Sequence, residues 1–360
     1  SVTRRMHNKS FTVDNQVAIL GGRNIGDEYF DADPELAFTD LDVLLLGPVV
    51  KEVSASFDQY WNSELAYPAT TLLGRTPSAE EYREKREALD AFVAEQADSP
   101  YLAALKNSGL IDQIAGRDVR FEWGDAHVVQ DEPEKLLADR STRSYHLAPQ
   151  LSPYFRGVDE ELYIFSPYFV PGRAGTSALG ELSDRGVRVR VLTNSLASTD
   201  VAAVHSGYSR YRKDLLKDGV ELYEMKSGQV EDEHSAGAGS GFAGSSKASL
   251  HSKAFIFDRE HMFIGSLNLD PRSVHENTEI GTVLTSPGFV GSLAPRIDEA
   301  VAQRAYRLEL KRDEYGPDRI IWHDVQDEKS ARTYDVDPGT TFWQRFLVGL
   351  LRLLPVESQL

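Results

Sequence analysis

Two short segments of the chain carry the same arrangement of a histidine, a lysine and an aspartate. In each, the lysine follows the histidine by two residues and the aspartate follows the lysine by five. The residues are His7, Lys9 and Asp14 in the first segment and His251, Lys253 and Asp258 in the second. Gly21 and Gly265 stand fourteen residues after their histidines, and asparagines stand seventeen residues after. This agreement indicates an internal duplication in which each half supplies one set of polar residues.

The duplication extends to an asparagine and an acid in each copy. Asn24 and Asn268 are the asparagines at equal offsets. Asp40 aligns with Glu279 if the first copy carries five extra residues. The two acids are therefore candidates for an equivalent role in the two halves.

A histidine and a lysine two residues apart on one strand point to the same face. Two such pairs around one pocket suit a phosphate diester, since the lysines and the two asparagines can hold its non-bridging oxygens. One histidine can attack phosphorus while the other protonates the leaving alcohol. Asp40 and Glu279 are placed to hold the histidine tautomers. The aspartates that close the motifs, Asp14 and Asp258, are assigned a structural role, pairing with neighbouring loops.

A dedicated metal site is the competing interpretation of these polar residues. Only two histidines are duplicated, the chain has no cysteine, and the motif lysines would repel a divalent cation. We therefore expect neither a metal nor another cofactor. His205, close in sequence to Arg210 and Arg212, is a weaker candidate for substrate contact.

Composition sets further limits on the class of protein. The 360 residues can bury two cores or one large pseudo-symmetric core. A net charge of −17 opposes a broad surface for nucleic acid. No run of eighteen apolar residues occurs, and the chain begins at Ser1, six residues before His7, so we expect a fragment of a longer protein.

Hydrophobic patterning predicts strands alternating with helices, and hence a mixed sheet covered by helices. We predict a first half over residues 1–143, N-terminally truncated and with a helical insertion at about 51–112, and a second half over 144–329. Residues 227–248 are rich in Gly, Ser and Ala and are expected to form a loop. In the tail, 330–360, the segment FWQRFLVGLLRLLPV suits either a helix lying in a membrane interface or a terminal helix docked on the core.

The two motifs, with the glycines and asparagines that follow them, resemble the phospholipase D superfamily over nearly the whole chain. RMHNKSFTVDNQVAILGGRNIGDEYF, SPYFVPG, YRKDLLKDGVELYE and LLRLLPVESQL resemble the bacterial cardiolipin synthases, in particular their C-type branch. The resemblance implies a pseudo-twofold α/β/α sandwich with mixed sheets and one active site between the halves. Members of the family carry a sheet-forming segment ahead of the first motif, whereas this chain begins almost at His7.

The resemblance also implies an activity, namely transfer of a phosphatidyl group to phosphatidylglycerol through a phosphohistidine, which makes cardiolipin. It implies that His7 attacks and His251 acts as acid and base, although pseudo-symmetry leaves the reverse assignment open. The expected partners are phosphatidylglycerol, phosphatidylethanolamine as a possible donor, and a bacterial inner membrane surface, with no nucleic acid. The need for a small partner protein is left open.

Two other functions are weighed against this transferase. One is a phospholipase D-type phosphodiesterase, in which water replaces the alcohol and the substrate is a phospholipid or, against the acidic charge, a nucleic acid. The other is a lipid-binding scaffold without catalysis, which the intact histidine, lysine and acid of both halves oppose. The apolar tail favours a lipid substrate.

Overall fold

The computed structural model describes residues 4–30, 36–99, 102–103, 106, 109, 112–113, 116, 119–228, 247–312, 316–324 and 332–353. Most of the loop expected at 227–248, and the last residues of the tail, lie outside the described residues.

Short strands with alternating or continuous apolar side chains account for the sheets. The strands are β1 (Ser10–Val13), β2 (Val17–Gly21), β3 (Leu36–Thr39), β4 (Asp42–Leu46), β5 (Asp125–Gln130), β6 (Glu161–Phe165), β7 (Arg188–Asn194), β8 (Glu221–Met225), β9 (Lys247–Leu250), β10 (Ala254–Phe257), β11 (His261–Gly265), β12 (Ile280–Thr285), β13 (Ala305–Lys311), β14 (Arg319–Asp324) and β15 (Arg332–Tyr334).

The helices lie mostly where apolar residues recur at a helical period. They are α1 (Val49–Trp61), α2 (Ala69–Leu73), α3 (Ala79–Glu95), α4 (Ala148–Gly157), α5 (Gly172–Asp184), α6 (Ala202–Ser209), α7 (Arg212–Lys217), α8 (Pro271–His275), α9 (Pro287–Arg304) and α10 (Phe342–Leu351). Among the described helices, none has both the length and the hydropathy that crossing a bilayer requires.

Ten strands form one mixed sheet in the order β15-β14-β13-β8-β7-β6-β10-β11-β12-β5. Strands β6, β7 and β8 are parallel, and the remaining neighbours are antiparallel. Residues of α5 and α7 belong to the core on one face, and residues of α9 belong to the core on the other. The predicted mixed α/β architecture with helices on both faces is therefore confirmed.

A second sheet, β1-β2-β4, repeats the strand pairing of β10-β11-β12. Ser10 pairs with Leu20 as Ala254 pairs with Ile264, and Gly21 pairs with Asp42 as Gly265 pairs with Gly281. The paired residues occupy equivalent positions in the two duplicated segments. The turns also match, because Asp14, Asn15, Asp258 and Arg259 all have positive φ angles of 51° to 58°.

The two repeats are joined by two equivalent parallel contacts. Strand β3 pairs with β9, which places Thr39 opposite Leu250. At the equivalent place in the other repeat, Met6 forms a parallel bridge with Thr278. The repeats are therefore related by a pseudo-twofold axis, as the resemblance implies. In each repeat, the residue before the motif histidine pairs with a residue of the other repeat.

The three-stranded sheet has one buried face and one exposed face. Ala18, Leu20 and Leu45 pack with α1 and Ile280. The opposite face carries apolar side chains that are exposed by 40% to 66%. They are Phe11, Val13, Ile19, Leu44 and Leu46. Their counterparts in the ten-stranded sheet include Phe255, Phe263 and Val283, which are buried in the core beneath α4 and α5.

Contacts divide the chain into two compact units, Ser1–Gln59 with Gly124–Leu360, and Tyr60–Trp123. The second unit contains α2 and α3, and α3 begins with a capping box. The Ser78 hydroxyl accepts the Glu81 N–H, and the Glu81 carboxylate accepts the Ser78 N–H. The division into sequence halves at residue 143 stays a prediction.

Candidate active site

The first motif histidine is held by the second repeat. The backbone N–H of His7 donates to the Thr278 carbonyl at 2.9 Å, and Nδ1 of the His7 ring lies 2.8 Å from Glu279 Oε2. Glu279 is fully buried, and Ser266 Oγ donates to the same oxygen at 2.5 Å. A carboxylate at Nδ1 holds the proton there, which leaves Nε2 of the neutral ring as a base or nucleophile.

The second motif histidine is held by the first repeat in the same way. The backbone N–H of His251 donates to the Thr39 carbonyl at 2.8 Å, and Nδ1 of the His251 ring lies 2.7 Å from Asp40 Oδ2. The two histidine–acid pairs thus cross the pseudo-twofold axis, since each acid belongs to the repeat that does not carry its histidine. The sequence predicts the two acids as histidine partners but not this exchange.

The motif lysines lie behind the histidines. Lys9 donates to the His7 carbonyl at 2.7 Å, and Lys253 donates to the His251 carbonyl at 2.5 Å. Burial lowers the pKa of Lys9 to about 8, while the charges of Glu279 and Asp40 oppose that shift. Burial lowers the pKa of the wholly buried Lys253 to about 7. Both lysines therefore titrate near neutral pH, where a bound anion would favour their charged forms.

His251 is buried and is neutral at pH 7. Burial, followed by the charge of Lys253, lowers its pKa to about 4, although the hydrogen bond with Asp40 acts in the opposite direction. Lys253 Nζ lies 2.9 Å from the same Nδ1. With the proton of Nδ1 directed at Asp40, this lysine acts on the ring through its charge.

The aspartates that close the two motifs lie in the β1–β2 and β10–β11 turns. Asp258 accepts hydrogen bonds from the backbone N–H groups of Asp159, Glu160 and Glu161 at 2.8 to 3.0 Å. Asp14 is exposed. Asp258 thus anchors its turn to the start of β6, which is the kind of loop contact expected of it.

The two asparagines are placed differently. Asn24 Nδ2 donates to the Tyr29 hydroxyl at 2.6 Å, and that hydroxyl lies 3.4 Å from His251 Nε2. Asn268 is buried, and its Oδ1 has no hydrogen-bond partner among the described residues. A buried amide oxygen without a partner is costly unless a ligand or water supplies a donor.

Tyr29 is a site residue that the sequence did not single out. Its ring meets the His251 imidazole edge to face, with centroids 4.9 Å apart, and Phe38 packs against both rings. Burial raises the pKa of Tyr29, so its hydroxyl keeps its proton at neutral pH. Tyr29 lies between Asn24 and Asp40, in the segment that is five residues longer than its equivalent in the second repeat. An aromatic residue in this extra segment, without a counterpart in the second repeat, was the sequence feature that could have indicated it.

Comparisons with known proteins find relatives over nearly the whole length of the chain. A family model described as cardiolipin synthase, PLD-like domain, matches residues 155–300. Cardiolipin synthase C of Escherichia coli (strain K12) is 40% identical over 359 residues, which cover 99% of this chain and 73% of that protein. The chain belongs to the cardiolipin synthase family.

One further sequence relative and one solved structure are similar to this family member. An uncharacterized protein of Helicobacter pylori (strain ATCC 700392 / 26695) is 31% identical, with 98% of this chain and 67% of that protein covered. The crystal structure of phosphatidylserine synthase from Haemophilus influenzae Rd KW20 matches with a TM-score of 0.51 at 14% identity. That match covers 86% of this chain and 64% of the other, and it shows a shared fold.

Beneath Glu279, this cardiolipin synthase family member has a buried aspartate that no motif indicates. Asp131 Oδ2 accepts the Glu279 N–H at 2.8 Å, and Asp131 Oδ1 lies 3.0 Å from Lys135 Nζ. Burial raises the pKa of Asp131 to about 6 and lowers the pKa of Lys135. Asp131 therefore fixes the backbone that carries the His7 partner, and only the pairing of β5 with β12 brings it there.

His205 lies outside this group of motif residues. It is buried beside the Arg212 guanidinium, and its Nε2 lies 3.6 Å from Asp337 Oδ1. Arg212 also donates to Asp337 at 2.9 and 3.0 Å. This cluster connects α6 and α7 to the segment that precedes α10.

Proposed function

We propose that this protein is a phosphatidyltransferase that makes cardiolipin by passing a phosphatidyl group to phosphatidylglycerol. The observation that carries the proposal is the crossed pair of histidines, each held at Nδ1 by a carboxylate of the other repeat. Such a pair supplies a nucleophile and an acid–base group in one site. Family membership, with a relative named cardiolipin synthase C at 40% identity, supports the choice of lipid.

His7 is the proposed nucleophile. Its side chain is 24% exposed, and its Nε2 makes no hydrogen bond with the described residues. His251 is buried, and the Tyr29 hydroxyl lies 3.4 Å from its Nε2. In the first step, His7 Nε2 forms a bond to phosphorus while the bond from phosphorus to the head-group oxygen breaks. The pair of electrons leaves with that oxygen, and Glu279 balances the charge that develops on the His7 ring.

His251 is the proposed acid and base. The bound diester anion opposes the charge of Lys253 and so favours the protonated imidazole, which gives its proton to the departing alcohol. The neutral ring then takes a proton from the terminal hydroxyl of phosphatidylglycerol. That hydroxyl oxygen attacks the phosphohistidine, the bond from phosphorus to His7 breaks, and cardiolipin is released. The reverse assignment of the two histidines exchanges these roles.

We propose that the phosphate oxygens are bound by four side chains, namely those of Lys9, Lys253, Asn24 and Asn268. Two lysines with lowered pKa values become fully charged when an anion binds, which provides charge where the transition state needs it. The unpartnered oxygen of buried Asn268 accepts a donor from bound lipid or water. The chemistry that these residues provide requires no metal and no cofactor.

The proposed partners are lipids at the inner membrane surface of a bacterium, with the protein attached peripherally or through a further segment. Phosphatidylglycerol is the acceptor, and phosphatidylglycerol or phosphatidylethanolamine is the donor. A net charge of −17 argues against nucleic acid as a substrate.

The test is lipid analysis by mass spectrometry after incubation of the protein with vesicles of phosphatidylglycerol, with and without phosphatidylethanolamine. Cardiolipin is the expected product, and dependence on phosphatidylethanolamine identifies the donor. Phosphatidic acid without cardiolipin would instead show a phospholipase D-type phosphodiesterase. A full-length protein that binds lipid without turnover would refute both enzymes.

A further inference from the structure

Helix α10 is an apolar helix with almost no covering. Val348 is its buried residue and packs toward the body of the protein, where α10 contacts α6. Leu351 is half-buried, and six other large apolar side chains of the helix and of the turn after it are exposed by 49% to 81%. They are Phe342, Trp343, Phe346, Leu347, Leu350 and Leu353. We call these six side chains the α10 apolar surface.

Helix α10 and the residues beside it in sequence carry a charge opposite in sign to that of the whole protein. No acidic residue occurs from Pro338 to Leu353, whereas Arg345 and Arg352 lie within this stretch. Arg210 of the neighbouring segment adds a third cation by donating to the Arg352 carbonyl at 2.5 Å. In a chain with a net charge of −17, this is a local basic region beside exposed aromatic and leucine side chains.

The base of α10 is joined to the candidate active site through the loop that follows β7. A side chain at Gly339 would meet Ala197 of this loop at 3.3 Å. Asn194, at the start of the loop, exchanges two hydrogen bonds of 2.9 Å with the backbone of Leu250, the residue before His251. Two short steps therefore connect the α10 apolar surface with a motif histidine.

We propose that the α10 apolar surface docks on the surface of an anionic phospholipid bilayer and brings the active site to its lipid substrate. Phe and Trp side chains beside arginines are the composition that partitions into the headgroup region. The proposed diester substrate resides in such a bilayer, and phosphatidylglycerol supplies the anionic charge that Arg345 and Arg352 complement. This inference rests on the proposed function for the identity of the lipid.

Flotation with vesicles tests this surface directly. The variant Phe342→Ser/Trp343→Ser/Phe346→Ser removes the three exposed aromatic rings, and the matched control Phe92→Ser/Phe121→Ser/Trp123→Ser removes three exposed rings elsewhere. We expect the first variant to bind phosphatidylglycerol vesicles about 100-fold more weakly than the parent protein, and the control to bind like the parent. Equal binding by the parent and the α10 variant would overturn the proposal, as would equal loss in both variants.

Two further measurements separate docking from catalysis. Brominated lipid should quench the parent more than Trp343→Phe, because Trp343 enters the headgroup region. The α10 variant should retain its rate on short-chain phosphatidylglycerol below its micellar concentration and lose it on vesicles. Docking without any phosphatidyl transfer would refute the proposed function and leave the docking surface standing. Loss of self-association in the α10 variant with unchanged vesicle binding would identify a contact between copies and overturn the docking surface.

Discussion

Replacement of Glu279 by glutamine removes one charge from the active site and leaves its shape intact. Ser266 Oγ accepts the Ile280 N–H at 3.0 Å, so its own proton is directed at residue 279. The glutamine oxygen therefore takes the position of Oε2 and still accepts from Ser266 and from His7 Nδ1. Because the second carboxylate oxygen has no partner among the described residues, the amide NH2 occupies its place without displacing a donor.

The magnitude follows from the geometry of the His7–Glu279 pair. Unit charges 2.8 Å apart interact by about 6 kcal/mol at an effective dielectric constant of about 20, which is an upper limit. Solvent reaches His7 and screens this interaction, and hydrogen bonds to charged groups contribute about 1.5 to 3 kcal/mol. We expect Glu279→Gln to lose about 2 to 3 kcal/mol of transition-state stabilisation, which corresponds to a fall of about 30- to 150-fold in kcat.

The assay is the initial rate of cardiolipin formation over a range of phosphatidylglycerol concentrations, together with acid-quench measurement of phosphohistidine. KM should change little, and the amount of phosphohistidine formed in the first turnover should fall with kcat. Glu221→Gln is the matched control, since it removes the same charge from a carboxylate that pairs with Arg188 at 2.7 Å. If Glu279→Gln retains kcat within about threefold of the parent while Glu221→Gln does the same, Glu279 does not stabilise a charged His7 ring.

Three further predictions follow from the same contacts. His7→Ala and His251→Ala should each abolish turnover, because neither ring can take over the other's proton transfer; near-normal cardiolipin synthesis by either variant would exclude the two-histidine mechanism. Tyr29→Phe removes the hydroxyl 3.4 Å from His251 Nε2, the nitrogen proposed to take the proton of the acceptor alcohol. We expect this change to slow transfer by about 2- to 10-fold and, because water can then compete with the alcohol at His251, to raise the ratio of phosphatidic acid to cardiolipin; an unchanged product ratio would show that this hydroxyl does not help to place the acceptor. With pKa values of about 8 for Lys9 and about 7 for Lys253, kcat/KM should fall as pH rises through 7 to 8, since the charged lysines that hold the diester are lost; in a pH profile the kcat limb should lie at higher pH, because bound anion favours the ammonium forms, and a flat kcat/KM from pH 6 to 9 would show that neither charge is needed.

The sequence duplication predicted which positions of the two repeats are equivalent, because it compares the chain with itself. The structure agrees with this equivalence, since Ser10 pairs with Leu20 and Ala254 pairs with Ile264 at the same offsets from His7 and His251. A shared offset carries information about equivalent positions within each repeat. The mixed sheet with helical layers was predictable for a related reason, since apolar periodicity is a local property.

The comparison of the two repeats could not predict that each acid contacts the histidine of the other repeat. Alignment shows that Asp40 and Glu279 are equivalent, but it does not show which histidine each one meets. That depends on the parallel pairing of Thr39 with Leu250 and on the bridge from Met6, which are long-range contacts. Tyr29 and Asp131 were missed for the corresponding reason, because neither has a counterpart at an equal offset and both reach the site through tertiary packing.

The unequal covering of the two sheets implies that the two sides of the active site differ in local stability. The three-stranded sheet, which follows His7 and Lys9 in the chain, buries apolar side chains on one face, whereas β10 and β11, which follow His251, are buried on both faces. Hydrogen exchange should therefore be faster for the amides of β1 and β2 than for those of β10 and β11. On heating, the His7 side should open first, so activity should be lost at a temperature at which the ten-stranded sheet is still intact.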